Sequence, residues 1–227
     1  DSVKNEVAIG EASPSYIYNQ LSPKLIKQEL GDVKIIVVLR NPTDRAYSNY
    51  LHTKRSDREN LSFLDAITIE SERIQDNWSP IYHYIEKGYY CRQIQRYYNV
   101  FPKENIKVLL FEDVIKKTES TLKEIFEFLS VNIDVHIDFS KKQNVSGKPK
   151  GVLGFILRKM RYYNLMPKFA ISDYLPKMLV NIIFKSVYSE SKKLDNDVRK
   201  EITNKYYKEE IKNLEKLIDR DLSSWLV

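Results

Sequence analysis

The sequence predicts an α/β domain built on a parallel sheet flanked by helices, and three observations carry that reading. Two short aliphatic runs, Lys34 to Leu39 and Ile106 to Phe111, read as strands. A helix signal follows each of them: Asn41-Pro-Thr-Asp44 after the first, and Thr118 or Ser120 ahead of Leu122, Ile125, Phe126 and Leu129 after the second. Repeated strand, short loop and helix call for crossover connections, which make parallel strand pairs. A chain of 227 residues suits one such domain with a sizeable core.

Each element has a local reason. Val7-Ala-Ile-Gly10 is a short apolar stretch that reads as a strand, and Ser13 before Pro14 reads as a helix start. Leu21 to Leu30 forms a short helix, stopped by a turn at Gly31-Asp32. The β-branched run Lys34 to Leu39 has the composition of a strand covered on both faces. Asn41 is a good N-cap, Pro42 fits the first helical position, and Asp44 stands where a short acid can answer the cap. Residues 53–62 read as a loop. Phe63 to Ile74 reads as one helix with Leu64, Ile67 and Ile74 on its apolar face. An aromatic connection, Trp78 to Ile85, leads to a helix from Tyr89 to Tyr98, which Phe101-Pro102 ends.

Beyond Ser140 the character changes. Residues 141–150 are basic and turn-rich and read as a loop. Residues 151–188 mix apolar and basic side chains and read as short helices. Ordinary packing on the core and a surface facing an acceptor or an anionic membrane both fit them. Val198 to Leu226 reads as helical, with Ile211, Leu214, Leu217 and Ile218 on one face. The organisation expected is one domain over 1–227, with the α/β core in 1–140 and a basic loop plus a C-terminal helical part in 141–227.

Composition narrows the function classes. Charged residues make up 30% of the chain and hydrophobic ones 42%, which is the balance of a soluble globular domain. The net charge of +6 favours anionic ligands such as nucleotides, acidic glycans or anionic membrane surfaces. The basic residues are interleaved with acids and form no long block, which argues against nucleic acid. Cys91 is the only cysteine, so no intrachain disulfide forms, and a reducing, cytoplasmic setting is expected. No window reaches the roughly 18 apolar residues of a membrane span. Peripheral contact with a membrane stays open, and oligomeric state is not readable. His52, His83 and His136 are not spaced as metal ligands with the lone cysteine, so no metal is expected.

The chemistry concentrates where the first strand turns into a helix. The helix N-terminus points unpaired N–H groups and its positive dipole end at whatever lies above the strand. Arg40 adds a planar fork of donors suited to bidentate phosphate binding, and Ser48, on the second turn, adds a hydroxyl. From the residues alone, a strand–helix corner held by an arginine salt bridge fits equally well. Glu11 follows a short apolar run and reads without further information as an exposed strand-end carboxylate. Phe111 reads as a core phenylalanine, and Lys148 and Lys150 as members of a solvated basic loop.

Several segments in order resemble the sulfotransferases. Gly10-Glu-Ala-Ser-Pro-Ser-Tyr16 is similar to the Glu-Lys-Thr-Pro-x-Tyr element of heparan-type carbohydrate sulfotransferases. Leu39-Arg-Asn-Pro-Thr-Asp-Arg-Ala-Tyr-Ser48 resembles the family's 3′-phosphate motif, with matching Arg-to-Ser spacing. Gly88-Tyr-Tyr, Phe101-Pro and Ile106-Lys-Val-Leu-Leu-Phe-Glu-Asp113 resemble its second strand and acidic end, and Tyr206 to Trp225 resembles the tail of bacterial members.

The resemblance implies a nucleotide-kinase-like fold and the donor 3′-phosphoadenosine 5′-phosphosulfate. It implies in-line sulfuryl transfer to a hydroxyl or amine, with a glycan or a small hydroxyl compound as acceptor. On that reading Glu11 is the general base, Arg40 and Ser48 bind the 3′-phosphate, Phe111 lies against the adenine, and Lys148 and Lys150 close over the donor.

Two departures stand out. No Gly-x-x-x-x-Gly-Lys-Ser/Thr run occurs in the 227 residues, so the family's N-terminal strand, phosphosulfate loop and helix are expected to be missing. The polar opening, Asp1-Ser-Val-Lys-Asn-Glu6, reads as the middle of a longer protein, and a weakly active fragment is expected. Ala12 also stands where heparan-type members carry lysine. Two other readings stay open: a non-catalytic nucleotide-binding or scaffold domain, and a kinase-like phosphotransferase. The missing Walker-type loop argues against the latter.

Overall fold

A computed structural model of the chain describes residues 6–133, 147–149, 188–190 and 193–226. The chain forms two compact units, residues 1–136 with 194–227, and residues 137–193. The C-terminal helices fold with the N-terminal unit, although the sequence groups them with the basic loop.

In the first unit, β1 (Ile35–Leu39) and β2 (Ile106–Leu110) pair in parallel, from Ile35 opposite Ile106 to Leu39 opposite Leu110. α1 (Ser22–Leu30) precedes β1. Gly31 at φ +73° ends it, and its N–H closes on the Lys27 carbonyl at 3.0 Å. α2 (Pro42–Arg55) starts as its cap residues dictate, with the Asn41 side chain accepting the Asp44 N–H at 3.1 Å. α5 (Tyr90–Tyr98) crosses back, and β2 leads directly into α6 (Phe111–Lys116) and α7 (Thr118–Leu129). Phe111 therefore opens a helix and does not close the strand.

The segment read as one helix from Phe63 is two. α3 (Phe63–Thr68) and α4 (Glu70–Gln75) break at Ile69, whose ψ of 7° leaves helical geometry. Tertiary partners explain the break. Glu70 is buried and accepts the N–H groups of Ile85 and Glu86 at 2.7 Å each, while Arg73 turns inward onto Glu59. Ile67 is buried as expected, but Leu64, expected inside, is exposed, and Phe63 and Ala66 are buried in its place.

The C-terminal segment is helical over most of its length. α8 (Asn196–Ile202) runs through a π-helical turn at Thr203–Tyr207 into α9 (Lys208–Ile218), followed by a 3₁₀ turn at Ser223–Trp225. These helices close the main core, where Ile202, Tyr207, Ile211, Leu214, Leu222 and Trp225 meet Leu39, Ala46 and Ile94. In the second unit, β3 (Gly147–Pro149) and β4 (Tyr188–Glu190) pair antiparallel.

Three further expectations fail. Val7 to Gly10 is not a strand: Val7 is 88% exposed and no described strand pairs with this stretch. An isolated apolar run has no ladder to join, and period alone cannot supply one. Ser13-Pro14 opens a set of turns through Tyr18 and no helix. The Ser13 hydroxyl bonds the Ser15 N–H locally at 3.4 Å, competing with helical pairing. Finally, β1 is covered on one face only among the described residues, with Val38 50% exposed and Ile36 36% exposed. No helix among the described residues is long and apolar enough to cross a membrane.

Candidate active site

The parallel register sets the site's geometry. Leu39 and Leu110 are the last paired residues, so Arg40 and Phe111 leave the two strands side by side at their carboxyl ends. Crevices outside the carboxyl ends of parallel strands are where open α/β sheets bind ligands. The Arg40 guanidinium carbon lies 5.3 Å from the Phe111 ring centre. The cation is thus held over an aromatic face, and no salt bridge neutralises it among the described residues.

Asn41 is buried and does two jobs. Its side-chain oxygen caps α2, and its Nδ2 donates to the Trp225 carbonyl at 3.1 Å. Thr43 and Thr203 hydroxyls meet at 2.7 Å, and Asp44 accepts from Arg199 Nε at 2.9 Å. Three contacts therefore clamp the start of α2 to the C-terminal segment, and the clamp holds the backbone next to Arg40. Asp44, read as an answer to the cap, is committed to Arg199.

Around this corner lie three buried polar atoms, Arg45 Nε, the Tyr90 hydroxyl and Glu112 Oε2, with Arg45 acting on Tyr90 through its charge and a side-chain hydrogen bond. Burial raises the Tyr90 phenol's pKa, while Arg45 first and Arg40 after it pull the other way. These three groups converge beside the carboxyl ends of the two strands.

Residues 10–180 match the sequence profile described as the sulfotransferase domain. The chain belongs to the sulfotransferase family. The α/β class with a parallel sheet is shared with a solved neighbour, a sulfotransferase from Alicyclobacillus acidocaldarius. That neighbour is 29% identical with a TM-score of 0.71, covering 99% of this chain and 70% of the neighbour. Heparan sulfate glucosamine 3-O-sulfotransferase 3B1 of Mus musculus is 26% identical over 162 residues, 65% of this chain and 40% of the mouse protein. Bifunctional heparan sulfate N-deacetylase/N-sulfotransferase 1 of Xenopus tropicalis is 30% identical over 131 residues, 56% of this chain and 15% of the frog protein. The chain spans about two fifths or less of the length of these curated relatives.

In this family member the residues singled out from sequence are only partly gathered. Arg40 and Phe111 meet. Ser48 lies farther along α2, exposed, and its side chain makes no hydrogen bond among the described residues. Glu11 is exposed on an irregular segment and makes no hydrogen bond or ion pair with Arg40, Ser48 or Phe111. Its neighbour is Tyr16, whose phenol it raises in pKa by a side-chain hydrogen bond, with desolvation and its charge adding to that. His52 is exposed on the last turn of α2, and burial, then Arg55 and Arg58, lower its pKa. Lys148 lies in β3 of the second unit, and Lys150 lies outside the described residues. No cluster of metal-ligating side chains occurs among the described residues.

Sequence reasoning missed Arg45, Tyr90 and Glu112 as members of the strand-edge corner. A faint signal existed for two of them. Glu112 directly follows the residue beyond β2, and Arg45 stands one turn into the helix whose N-terminus faces the crevice. Tyr90 carries no such signal, because α5 reaches the corner only through tertiary packing.

Proposed function

We propose that this chain is the part of a sulfotransferase that binds the nucleotide end of 3′-phosphoadenosine 5′-phosphosulfate and presents the base for transfer to a carbohydrate hydroxyl or amine. The observation that carries the reading is the meeting of Arg40 and Phe111 beside the N-terminus of α2, in a chain of the sulfotransferase family. Arg40 offers charge-assisted donors to a 3′-phosphate beside the positive end of the α2 dipole, and Arg45 lies one turn on. Phe111 is partly exposed and offers a flat apolar face to a purine. Ser48 contributes its unpaired hydroxyl.

In the transfer, a bond forms between the acceptor's oxygen or nitrogen and sulfur as the bond from sulfur to the 5′-phosphate oxygen breaks. The acceptor's proton passes to Glu11, and adenosine 3′,5′-bisphosphate leaves. Positioning and electrostatics carry most of such a reaction. These 227 residues contain no glycine-rich loop ending in Lys-Ser or Lys-Thr for the 5′-phosphosulfate, so slow turnover by the isolated chain is part of the reading.

The test is calorimetric titration with adenosine 3′,5′-bisphosphate, 5′-AMP and ATP. The bisphosphate should bind preferentially, and Arg40→Ala should weaken it roughly tenfold to a hundredfold, the loss of a charge-assisted bond of about 1.5–3 kcal/mol. Equal binding of all three nucleotides, or no effect of Arg40→Ala in a folded protein, would sink the 3′-phosphate assignment. Bisphosphate preference without transfer to any sugar acceptor, even in a longer chain, would leave a binding domain.

A further inference from the structure

α5 touches both halves of the proposed reaction. Tyr90 opens the helix and Tyr97 lies in its last turn. Seven residues make about two turns, so the two side chains share one face about 10 Å apart along the axis. The Tyr90 ring packs edge-on against Trp225, with ring centres 6.5 Å apart, and the Trp225 carbonyl accepts the Asn41 side chain beside Arg40. At the other end the Tyr97 hydroxyl donates to the Tyr16 carbonyl at 2.9 Å, and Arg96 donates to the Ile17 and Tyr18 carbonyls at 3.2 and 3.1 Å. Three successive carbonyls of the segment that carries Glu11 are thus held from one turn of one helix.

That hold matters because the segment has no strand or helix of its own. Its internal bonds are turns: the Tyr16 N–H donates to the Ser13 carbonyl at 3.3 Å, and the Tyr18 and Asn19 N–H groups donate to the Ser15 carbonyl at 3.2 and 3.0 Å. A side tie joins the Tyr18 hydroxyl and His83 Nδ1 at 2.7 Å. The Tyr16 phenol in turn hydrogen-bonds the Glu11 carboxylate. α5 is firmly seated. Tyr90, Gln93, Ile94 and Tyr97 are buried, and the Cys91 N–H donates to Glu210 on α9 at 2.5 Å. Burial pushes the Tyr97 phenol up to about 12, so it keeps the proton it donates.

We propose that α5 is the spacer that sets where Glu11 stands relative to the nucleotide corner, with Tyr97 and Arg96 as positioning residues for the transfer. The proposal rests on the reading of Glu11 as the base. Tyr97 and Arg96 act through the Tyr16–Tyr18 backbone, and the Tyr16 phenol carries the setting to the carboxylate. A base displaced by about 1 Å costs on the order of a hundredfold in rate, so a single hydroxyl on α5 has a measurable effect on turnover without touching a substrate.

The experiment has two readouts on the full chain. Amide hydrogen exchange of residues 16–19 should be at least roughly tenfold slower than in an open peptide, and Tyr97→Phe should speed it about tenfold while α2 is unaffected. Single-turnover transfer from 3′-phosphoadenosine 5′-phosphosulfate to a sugar acceptor should slow roughly tenfold to a hundredfold in Tyr97→Phe, with affinity for adenosine 3′,5′-bisphosphate kept within about twofold. Arg96→Lys, which still reaches one carbonyl, should keep more of the rate than Arg96→Met. In a Glu11→Gln background Tyr97→Phe should slow transfer no further, because the group it positions is gone.

Open-chain exchange of residues 16–19 in the wild-type protein would overturn the proposal with no variant and no turnover needed. Where transfer is too slow to time, the exchange comparison decides. A Tyr97→Phe protein that transfers at the wild-type rate would also overturn it. So would bisphosphate affinity that falls in step with the rate, which would make α5 a support of the whole fold, or full additivity with Glu11→Gln. Glu11→Gln at the wild-type rate would instead remove the base reading, and would overturn the proposal through it whatever the exchange shows.

Discussion

Arg40 and Gly88 show how much one position can depend on chain that is remote in sequence. Arg40 was recognisable because a strand, a cap and an arginine follow one another within eight residues, all local signals. Gly88 carries a constraint that no local pattern exposes. A Cβ placed there would stand 2.5 Å from the Tyr207 hydroxyl, and that hydroxyl is itself committed to the Ile85 carbonyl at 2.7 Å. Tyr207 is fully buried, so it has little room to give. Gly88→Ala should therefore destabilise the chain by about 1–3 kcal/mol, the usual range for forced overpacking. Denaturant unfolding measures it, and a midpoint equal to wild type would mean the Tyr207 ring moves aside freely. Burial pushes the Tyr207 phenol well up, so it stays a donor throughout the accessible pH range.

At the scale of elements, α3, α4 and the loop before them are organised by charge buried inside the fold. Glu59 and Arg73 form a two-pronged pair at 2.6 and 3.2 Å with almost no exposure, and Tyr84 donates to the same carboxylate at 2.9 Å. Burial alone would raise the Glu59 pKa. Hydrogen bonds from Arg73, the Leu61 N–H and Tyr84 outweigh it and hold the value below the ordinary carboxylate range. A depressed carboxylate contributes stability that is present above its unfolded pKa of about 4.3 and is lost as pH falls through the folded value. Glu70, whose pKa is raised mainly by burial, has the opposite sign. Its contribution declines as pH rises from the unfolded value through the folded one. Glu59→Gln should thus flatten the acid limb of a stability–pH curve. At pH 7 it should cost about 3–5 kcal/mol, because Arg73 is left buried without its counter-charge. An unchanged acid limb would show that other carboxylates set it. The hydrophobic period from Phe63 to Ile74 suggested one helix. It did not reveal that Glu70 and Arg73 point inward, since a charged residue reads as surface until its partner, 14 or 15 residues away in sequence, is known.

For the molecule as a whole, the first unit is closed by residues 194–227, which return to the N-terminal core after the second unit. Six of the buried core side chains come from that return, and Asn41, Thr43 and Asp44 are all held by it. A chain ending at residue 193 should lose cooperative thermal unfolding and bisphosphate binding together. Near-ultraviolet circular dichroism beside the titration would check this, and a cooperative transition in the shortened chain would refute it. The parallel pair, the α2 cap, the Arg40 and Phe111 positions and the family resemblance were all readable from the chain, because each rests on spacing within a few residues. The gathering of Arg45, Tyr90 and Glu112 at the site, the open face of β1 and the break at Ile69 were not. Each of those depends on which distant side chain arrives to share a hydrogen bond, fill a space or leave a charge uncompensated, and that is settled only when the elements pack.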